Sequence, residues 1–540
     1  MRGFKTKRSV YLAIVAVFIL SLVSYNLLVK SPPKASAAAT VDTSTSATAT
    51  ASSDQRKTFY DATTSLYWAF YSNGTAIAYA NSSNGTSWTN RGTTGVNTNN
   101  FSVTASAGNV YLIYDNTGPW VEKGALGATS ITWSGLTNVV AKVSHSNDAI
   151  ALDSNGRIWI TYHGTNGSNS TIYAQRSTNV GDPTSWGTAQ ILASSSTLTG
   201  TSVFNQDIAP MTTSGNMMFL YVTYTPSSPP ATLNYIVYTD ASTSYSTTSV
   251  AASLNTGATL TANVVAGPGD TVYTAYVVSG NVSFVEYSGG SWGSPVALDS
   301  SGADSAPNIS ITTGGNLYVF WINSNAIEYV KGVSPFTSGS WDASPTTFYN
   351  TGTNASMSSS YAQGNGTIQL LWTQGAGSPF NVEFGTLTPA SNSVPAAPTL
   401  LAPASGATAV SQNPLFQLRT TDADSDYLEY KVLIYASDCS SGVQTLDQTA
   451  SQAGWALQNQ QSGTAYTGAP TITSSTIANF GLVGLSANTT YCWKGAAIDP
   501  GGSNTFSGFS GTQLFTTGPT NPGTVNINGG VNINGGTIVR

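Results

Sequence analysis

The sequence predicts an all-β protein, a β-propeller of seven blades (six if the first or last copy is incomplete) followed by a smaller β-sandwich. Three observations predict it. One strand motif recurs seven times, each copy is flanked by Gly/Asn/Asp turns, and the composition is aromatic-rich and charge-poor. Charged residues are 8% of the 540, against roughly 25% in an ordinary globular chain. Aromatics are 11% and glycines number 53, so cores and turns are well supplied while hydroxyls and amides provide solubility. Disorder is excluded by those aromatics.

The recurring motif is an aliphatic residue, usually an aromatic, two residues, then another aromatic. Its copies begin at Leu66, Val110, Ile158, Leu220, Val272, Leu317 and Ile368, at spacings of 44 to 62 residues. Upstream of each lies a short strand closed by a turn, as in Ile150 to Gly156 or Ile309 to Gly315, which reads as a hairpin. Downstream a third strand follows, then a Gly/Ser turn and a tryptophan (Trp88, Trp186, Trp292, Trp341) leading into a fourth. Four antiparallel strands repeating at this period make a propeller blade. The seventh copy lacks a clear fourth strand.

The N-terminus reads as an export signal. Arg2, Lys5, Lys7 and Arg8 precede an apolar run from Val10 to Val29, with a small-x-small site at Ala35-Ser36-Ala37. Twenty apolar residues also suffice to span a bilayer, so residues 1–37 are a cleaved signal or a retained membrane anchor. Residues 38–55 read as a Ser/Thr/Ala-rich linker, and the propeller is expected over 56–392. Beyond residue 37 the chain holds 12 basic against 24 acidic side chains, which argues against nucleic acid as a partner.

The turn Asn81-Ser-Ser-Asn-Gly85-Thr-Ser-Trp88 resembles the Asp-box (BNR) repeat of sialidase-like propellers, with Ser83 at the Asp position. In the third blade Ser177, Asn179 and Gly181 fit the same start, and an insertion delays the tryptophan to Trp186. The resemblance covers about residues 56–390 and implies the fold, because in that family the turn lies away from the catalytic centre. A sialidase of this family would need three arginines on a carboxylate and an Arg-Ile-Pro motif near the first blade. Arg56 is followed by Lys-Thr, and only Arg91, Arg157 and Arg176 join it in the propeller, so sialidase chemistry is not expected.

Both histidines, His145 and His163, fall in one blade, in a stretch similar to one in BNR-type propeller polysaccharide lyases. They read either as an acid/base pair or as two polar loop-end residues. The innermost strands of a propeller converge at one mouth of its channel, and their first residues are polar here: Asn100, His145, Asn147, Asp148, Asn205, Asp207, Asn263, Asp304 and Asn308. Such a ring suits sugar hydroxyls or a bound cation, or else serves strand backbone and channel water.

Near Val394 the pattern changes. Residues 393–518 resemble a fibronectin type III domain, with Leu485 to Tyr491 at the spacing of that family's tyrosine corner. In that arrangement Cys439 follows the third strand and Cys492 lies on the sixth, neighbours in one sheet, and export favours a disulfide between them. Asp422, Asp424 and Asp426 have the spacing of a calcium loop without its glycine and distal Glu, so calcium and a plain acidic turn both fit. Residues 519–540 repeat Val-Asn-Ile-Asn-Gly-Gly, a flexible tail or an added strand for assembly.

Taken together, the residues favour an exported or cell-surface protein that binds glycan or a surface protein through the propeller mouth without catalysis, using no cofactor beyond the calcium the acidic turn could hold. A carbohydrate-active enzyme and a structural envelope protein are the alternatives.

Overall fold

The computed structural model describes residues 33–116, 118–139, 148–166, 169–195, 206–212, 215–223, 231–246, 249–254, 262–334, 336–389, 393–420, 428–450, 455–456, 477–479, 484–499, 503, 505–519, 525–527, 531–534 and 537–538. Strands dominate them, and two compact units divide the chain, Pro32–Ala390 and a second that holds Ser391–Arg540.

Among the described residues of the first unit there are seven antiparallel sheets. Their innermost strands are Thr58–Asp61, Phe101–Ser106, Ala149–Leu152, Gln206–Pro210, Ala262–Ala266, Asp304–Ile311 and Asn354–Ser359, each followed outward by the strand that carries the recurring motif. The motif's second strand is buried on both faces, which explains its continuous apolar reading: Trp68, Phe70, Leu112, Trp159, Phe219, Ala275, Trp321 and Trp372 have almost no exposed surface. Clusters of these side chains run between successive sheets, as Trp68, Phe70 and Tyr79 do with Phe101, Val103 and Leu112.

The tryptophans after the third strands shield the joints between sheets. Trp88 meets Phe384 of the seventh sheet edge-on, with ring centroids 4.7 Å apart. Its turn is held by Asn84, whose Oδ1 accepts from Thr86 N and Ser87 N, and by Ser82 Oγ, which accepts from Gly85 N. Gly85 has φ of +73°, where a side chain would be strained. Asn84, the residue after Ser83 at the Asp position, thus caps this turn.

The fourth strand of the seventh sheet comes from the N-terminal side. Lys34–Ala35 and Ala39–Ser44 pair antiparallel with Phe380–Thr388, in the registers Ala35↔Leu387 and Ala39↔Phe384. Residues 38–55, expected as a linker, are thus corrected to a closing strand and a buried crossing. Thr50, Ser53, Asp54 and Gln55 are all buried. Their small, polar composition is that of a linker, yet Ala39–Ser44 contains the β-branched Thr40, Val41 and Thr43, which suit a strand.

The second unit contains a sandwich of two sheets. Thr399–Ala402, Phe416–Arg419, Ile477–Asn479 and Trp455–Ala456 form one; Ala407–Val410, Gln513–Thr517, Thr490–Ile498, Glu429–Ala436 and Gly442–Asp447 form the other. Phe416, Tyr430, Val432, Trp493 and Phe515 fill the space between. Tyr491 Oη accepts from Ser486 N at 3.0 Å, and Cys439 and Cys492 are joined in a disulfide. In the tail, Val525–Ile527, Val531–Asn534 and Thr537–Ile538 pair as a three-stranded meander. Asp422, Asp424 and Asp426 lie outside the described residues, as does the N-terminal segment through residue 32.

Two outcomes follow for stability. Deleting residues 33–44 removes the paired positions of Lys34–Ala35 as well as those along Ala39–Ser44, and chemical denaturation is expected to show a loss of roughly 7 kcal/mol at about 1 kcal/mol per ladder bond. Cys439→Ser with Cys492→Ser opens a 53-residue loop and is expected to cost the sandwich about 4 kcal/mol by loop-closure entropy. Denaturant curves with and without reductant check the second figure.

Candidate functional site

Inner strands of neighbouring sheets do not form ladders with one another, so each leaves backbone N–H groups facing the propeller axis. Polar side chains at the leading ends of these strands meet them. Asp207 accepts from Val264 N at 2.9 Å, Asn263 Oδ1 from Ile309 N at 2.9 Å, and Asn308 Oδ1 from Ser359 N at 2.8 Å. Ser358 Oγ accepts from Lys57 N at 3.0 Å and Ser102 Oγ from Arg56 N at 3.1 Å, which carries the belt through the first sheet. Asn100 Oδ1 receives Asp148 N and Gln55 Nε2. Side chains thus staple the fourth sheet to the fifth, the fifth to the sixth, the sixth to the seventh, the seventh to the first, the first to the second and the second to the third.

The chain's own residues 50–57 fill this end of the axis. Thr50 Oγ1 donates to Ser356 O at 3.0 Å, and Ser53 O accepts from Asn263 Nδ2 at 2.9 Å. Lys57 is fully buried; its Nζ donates to Phe101 O at 2.5 Å and Gln55 Oε1 at 3.0 Å and lies 3.7 Å from the Phe101 ring centroid. Burial holds that ammonium well below the ordinary lysine range. Burial likewise pushes Asp207 up to about 8, against the pull of Arg56 and two backbone N–H groups. Asp148 is raised well above the ordinary carboxylate range by burial first and by Asp115 and Asp54 next, and both its carboxylate oxygens lack a hydrogen-bond partner among the described residues.

At the trailing ends of the inner strands the axis opens into a cavity of about 410 Å³. Tyr361 crosses from the seventh sheet to the fifth, where its Oη accepts from Ala266 N at 2.6 Å, and Ala362 bridges to Ile311 of the sixth. That half of the axis is covered, and the cavity occupies the other half, among the first four sheets. Phe59, Tyr60 and Tyr361 give it aromatic walls; Ser102, Thr104, Gln363 and Gln369 give it hydroxyls and amides; Arg56 lies at its inner end. Ser106 and Ala362 are exposed at the rim. Gln369 Oε1 is buried without a partner among the described residues.

Two carboxylates line the cavity and both are occupied. Asp153 accepts from Asn155 N, Arg157 N and Trp159 Nε1, each at 2.9 Å. Asp207 accepts from Ile208 N at 2.8 Å, besides Val264 N and Asn263 Nδ2. Of the residues singled out from the sequence, Asn100, Asp148, Asp207, Asn263 and Asn308 gather at the leading end. Asp304 stands apart, accepting from Val282 N and Ser301 Oγ in the fifth sheet's hairpin and the turn after it, and burial pushes it up to about 6. His163 is hydrogen-bonded through Nε2 to Ser170 Oγ, beyond the leading end of its inner strand and away from the cavity. His145, Asn147 and Asn205 lie outside the described residues. Among the described residues no group of three His, Cys, Asp or Glu is placed to hold a metal ion.

Sequence reasoning missed the cavity. Its signal was Arg56-Lys57 at the start of an inner strand, two adjacent cations in a chain with 8% charged residues.

No family model matches the chain, and no curated protein matches it. Among solved structures it is similar to a polysaccharide lyase, Uly1, at 9% identity over 62% of this chain and 89% of that one, with a TM-score of 0.41. It is similar to the NanB sialidase from Streptococcus pneumoniae at 12% identity over 63% and 69%, with a TM-score of 0.34. An endo-arabinase from Bacteroides thetaiotaomicron matches at 17% identity over 42% and 90%, with a TM-score of 0.28. Scores at this level assign no activity; the propeller rests on the strand pairing described above.

Asp148 supplies a test of the electrostatics at the leading end. Because its folded pKa is raised, the folded chain holds the proton to higher pH than the unfolded chain does, and this group's contribution falls as pH rises above the ordinary carboxylate range. Asp148→Asn is expected to gain about 1 kcal/mol at pH 8 and almost nothing at pH 4. Thermal unfolding at the two pH values measures it, and a gain equal at both would contradict the assignment.

Proposed function

We propose that this is an exported, non-catalytic glycan-binding protein that takes its ligand in the cavity at the trailing end of the propeller axis. The observation that carries the reading is the lining: aromatic walls, hydroxyls and amides, with both lining carboxylates tied by N–H donors. Aromatic faces and adaptable polar groups suit sugar rings, and a volume near 410 Å³ falls in the roughly 300–1,000 Å³ range of small-molecule sites. Hydrolysis of a glycosidic bond by the usual route uses two carboxyl groups free to flank it, one giving a proton and one acting as base or nucleophile. Asp153 and Asp207 are spent on backbone and indole N–H groups instead.

Export is supported by the basic and apolar N-terminal segment and by the Cys439–Cys492 bond, since disulfides persist in oxidising compartments. A fibronectin type III assignment for the sandwich is supported by the Tyr491 to Ser486 hydrogen bond, and a spacer or adhesive element is the role proposed for it.

A glycan array and a polysaccharide-degradation screen on the purified protein test this reading together. Binding without product is the expected result. Product release from any polysaccharide would replace the reading with a carbohydrate-active enzyme, and silence in both would leave an envelope protein.

A further inference from the structure

The closing strand of the seventh sheet reaches into the segment that cleavage of an export signal would remove. Lys34 and Ala35 pair antiparallel with Thr388 and Leu387. Ser36 N donates to Thr386 O at 2.8 Å, and Thr386 N donates to Ser36 Oγ at 2.8 Å. Ala35 and Ala38 are half-buried and pack against the cluster that holds Ile368, Leu370 and Leu387. The ladder resumes at Ala39, opposite Phe384. The small-x-small site Ala35-Ser36-Ala37 is therefore part of the propeller, with paired residues on both sides of the Ala37–Ala38 bond.

A cut after Ala37 would take Lys34, Ala35 and Ser36 away with the leader. Thr386 N and O would lose their partners, and the end of Phe380–Thr388 would become an open sheet edge. A leader discarded before folding contributes nothing to the folded state, yet these residues complete a sheet. The apolar segment fits the other role as well. Residues 10–29 hold no charged side chain over 20 positions, where a removable signal core runs about 7–15 residues and a bilayer span needs about 20. Arg2, Lys5, Lys7 and Arg8 precede the segment, and Lys30 and Lys34 follow it, so the larger positive charge holds the N-terminus on the inner side.

We infer that the leader is not cut at Ala37 and that residues 10–29 stay in the lipid bilayer, fastening the propeller to the outer membrane face through the closing strand of its seventh sheet. The inference rests on the export reading above and adds what holds the exported chain. Four residues, two of them proline, separate Val29 from Lys34. Five steps of about 3.3–3.6 Å reach at most about 18 Å, so the seam of the ring stands close to the lipid surface.

The test uses the full chain with its own N-terminus, exported by a bacterial host, and combines carbonate washing of the membranes with intact-mass measurement. The chain is expected in the membrane fraction, retained through the wash and released by detergent, with a mass that includes residues 34–37. Ala37→Lys changes an exposed position outside the ladder and removes the small residue that a cut there needs. It is expected to leave the fraction unchanged and the mass unchanged but for the substitution. Wild-type chain free in the medium with Ala38 as its first residue, while Ala37→Lys stays in the membrane, overturns the inference and leaves export standing. Release by a cut upstream of Lys34 overturns the anchor likewise. A chain left inside the cell and unattached overturns the anchor and the export reading together. In detergent, Ser36→Pro removes both hydrogen bonds to Thr386 and is expected to lower the melting temperature by about 2 °C or more. An unchanged melting temperature overturns the placement of the site within the sheet.

Discussion

A ring of sheets has an inner rim of strands that cannot pair with one another, and everything else in this propeller answers that constraint. Each inner strand leaves amides facing the axis, where water is scarce and an unmade hydrogen bond is costly. The chain meets the demand with polar side chains of neighbouring sheets, Asp207 to Val264 N, Asn263 to Ile309 N, Asn308 to Ser359 N, and with its own residues 50–57. Because those groups are committed to the backbone, the leading end of the axis is a structural seal. The chemistry left over sits at the other end.

Much of the fold was legible in the sequence because the strand motif is buried on both faces and repeats with its turns intact. Leu66, Val110, Ile158 and their counterparts each mark the second strand of a sheet. The closing strand was not legible. Ala39–Ser44 has the small, hydroxylated composition of a linker, and only its partner 340 residues away makes it a strand. Asn100, Asp148, Asp207, Asn263 and Asn308 of the polar ring gather at one end while Asp304 stands apart, and what they do depends on which N–H groups face them, a matter of three-dimensional register. The Cys439–Cys492 bond was reachable because family resemblance placed both residues in one sheet.

The candidate site was the least legible part, for a physical reason. Charged residues are expected at the surface, and Arg56, Lys57, Asp54 and Asp207 break that rule together. Their burial is tolerated because backbone carbonyls, amides and aromatic faces surround them, and because two of the acids hold their protons more tightly than usual at such a site. Asp148 and Asp207 are both raised, which lowers the number of charges buried along the axis.

The seam between Lys34–Ala35, Ala39–Ser44 and Phe380–Thr388 also governs how the ring responds to force. Lys34 lies opposite Thr388, so the chain enters and leaves the propeller at the same end of one antiparallel pair. Tension between those two points would load the hydrogen bonds one after another, as a zipper is drawn, instead of all at once in shear. A tethered molecule pulled from both ends would therefore open at this seam first, shedding its outermost strand while six sheets stay whole.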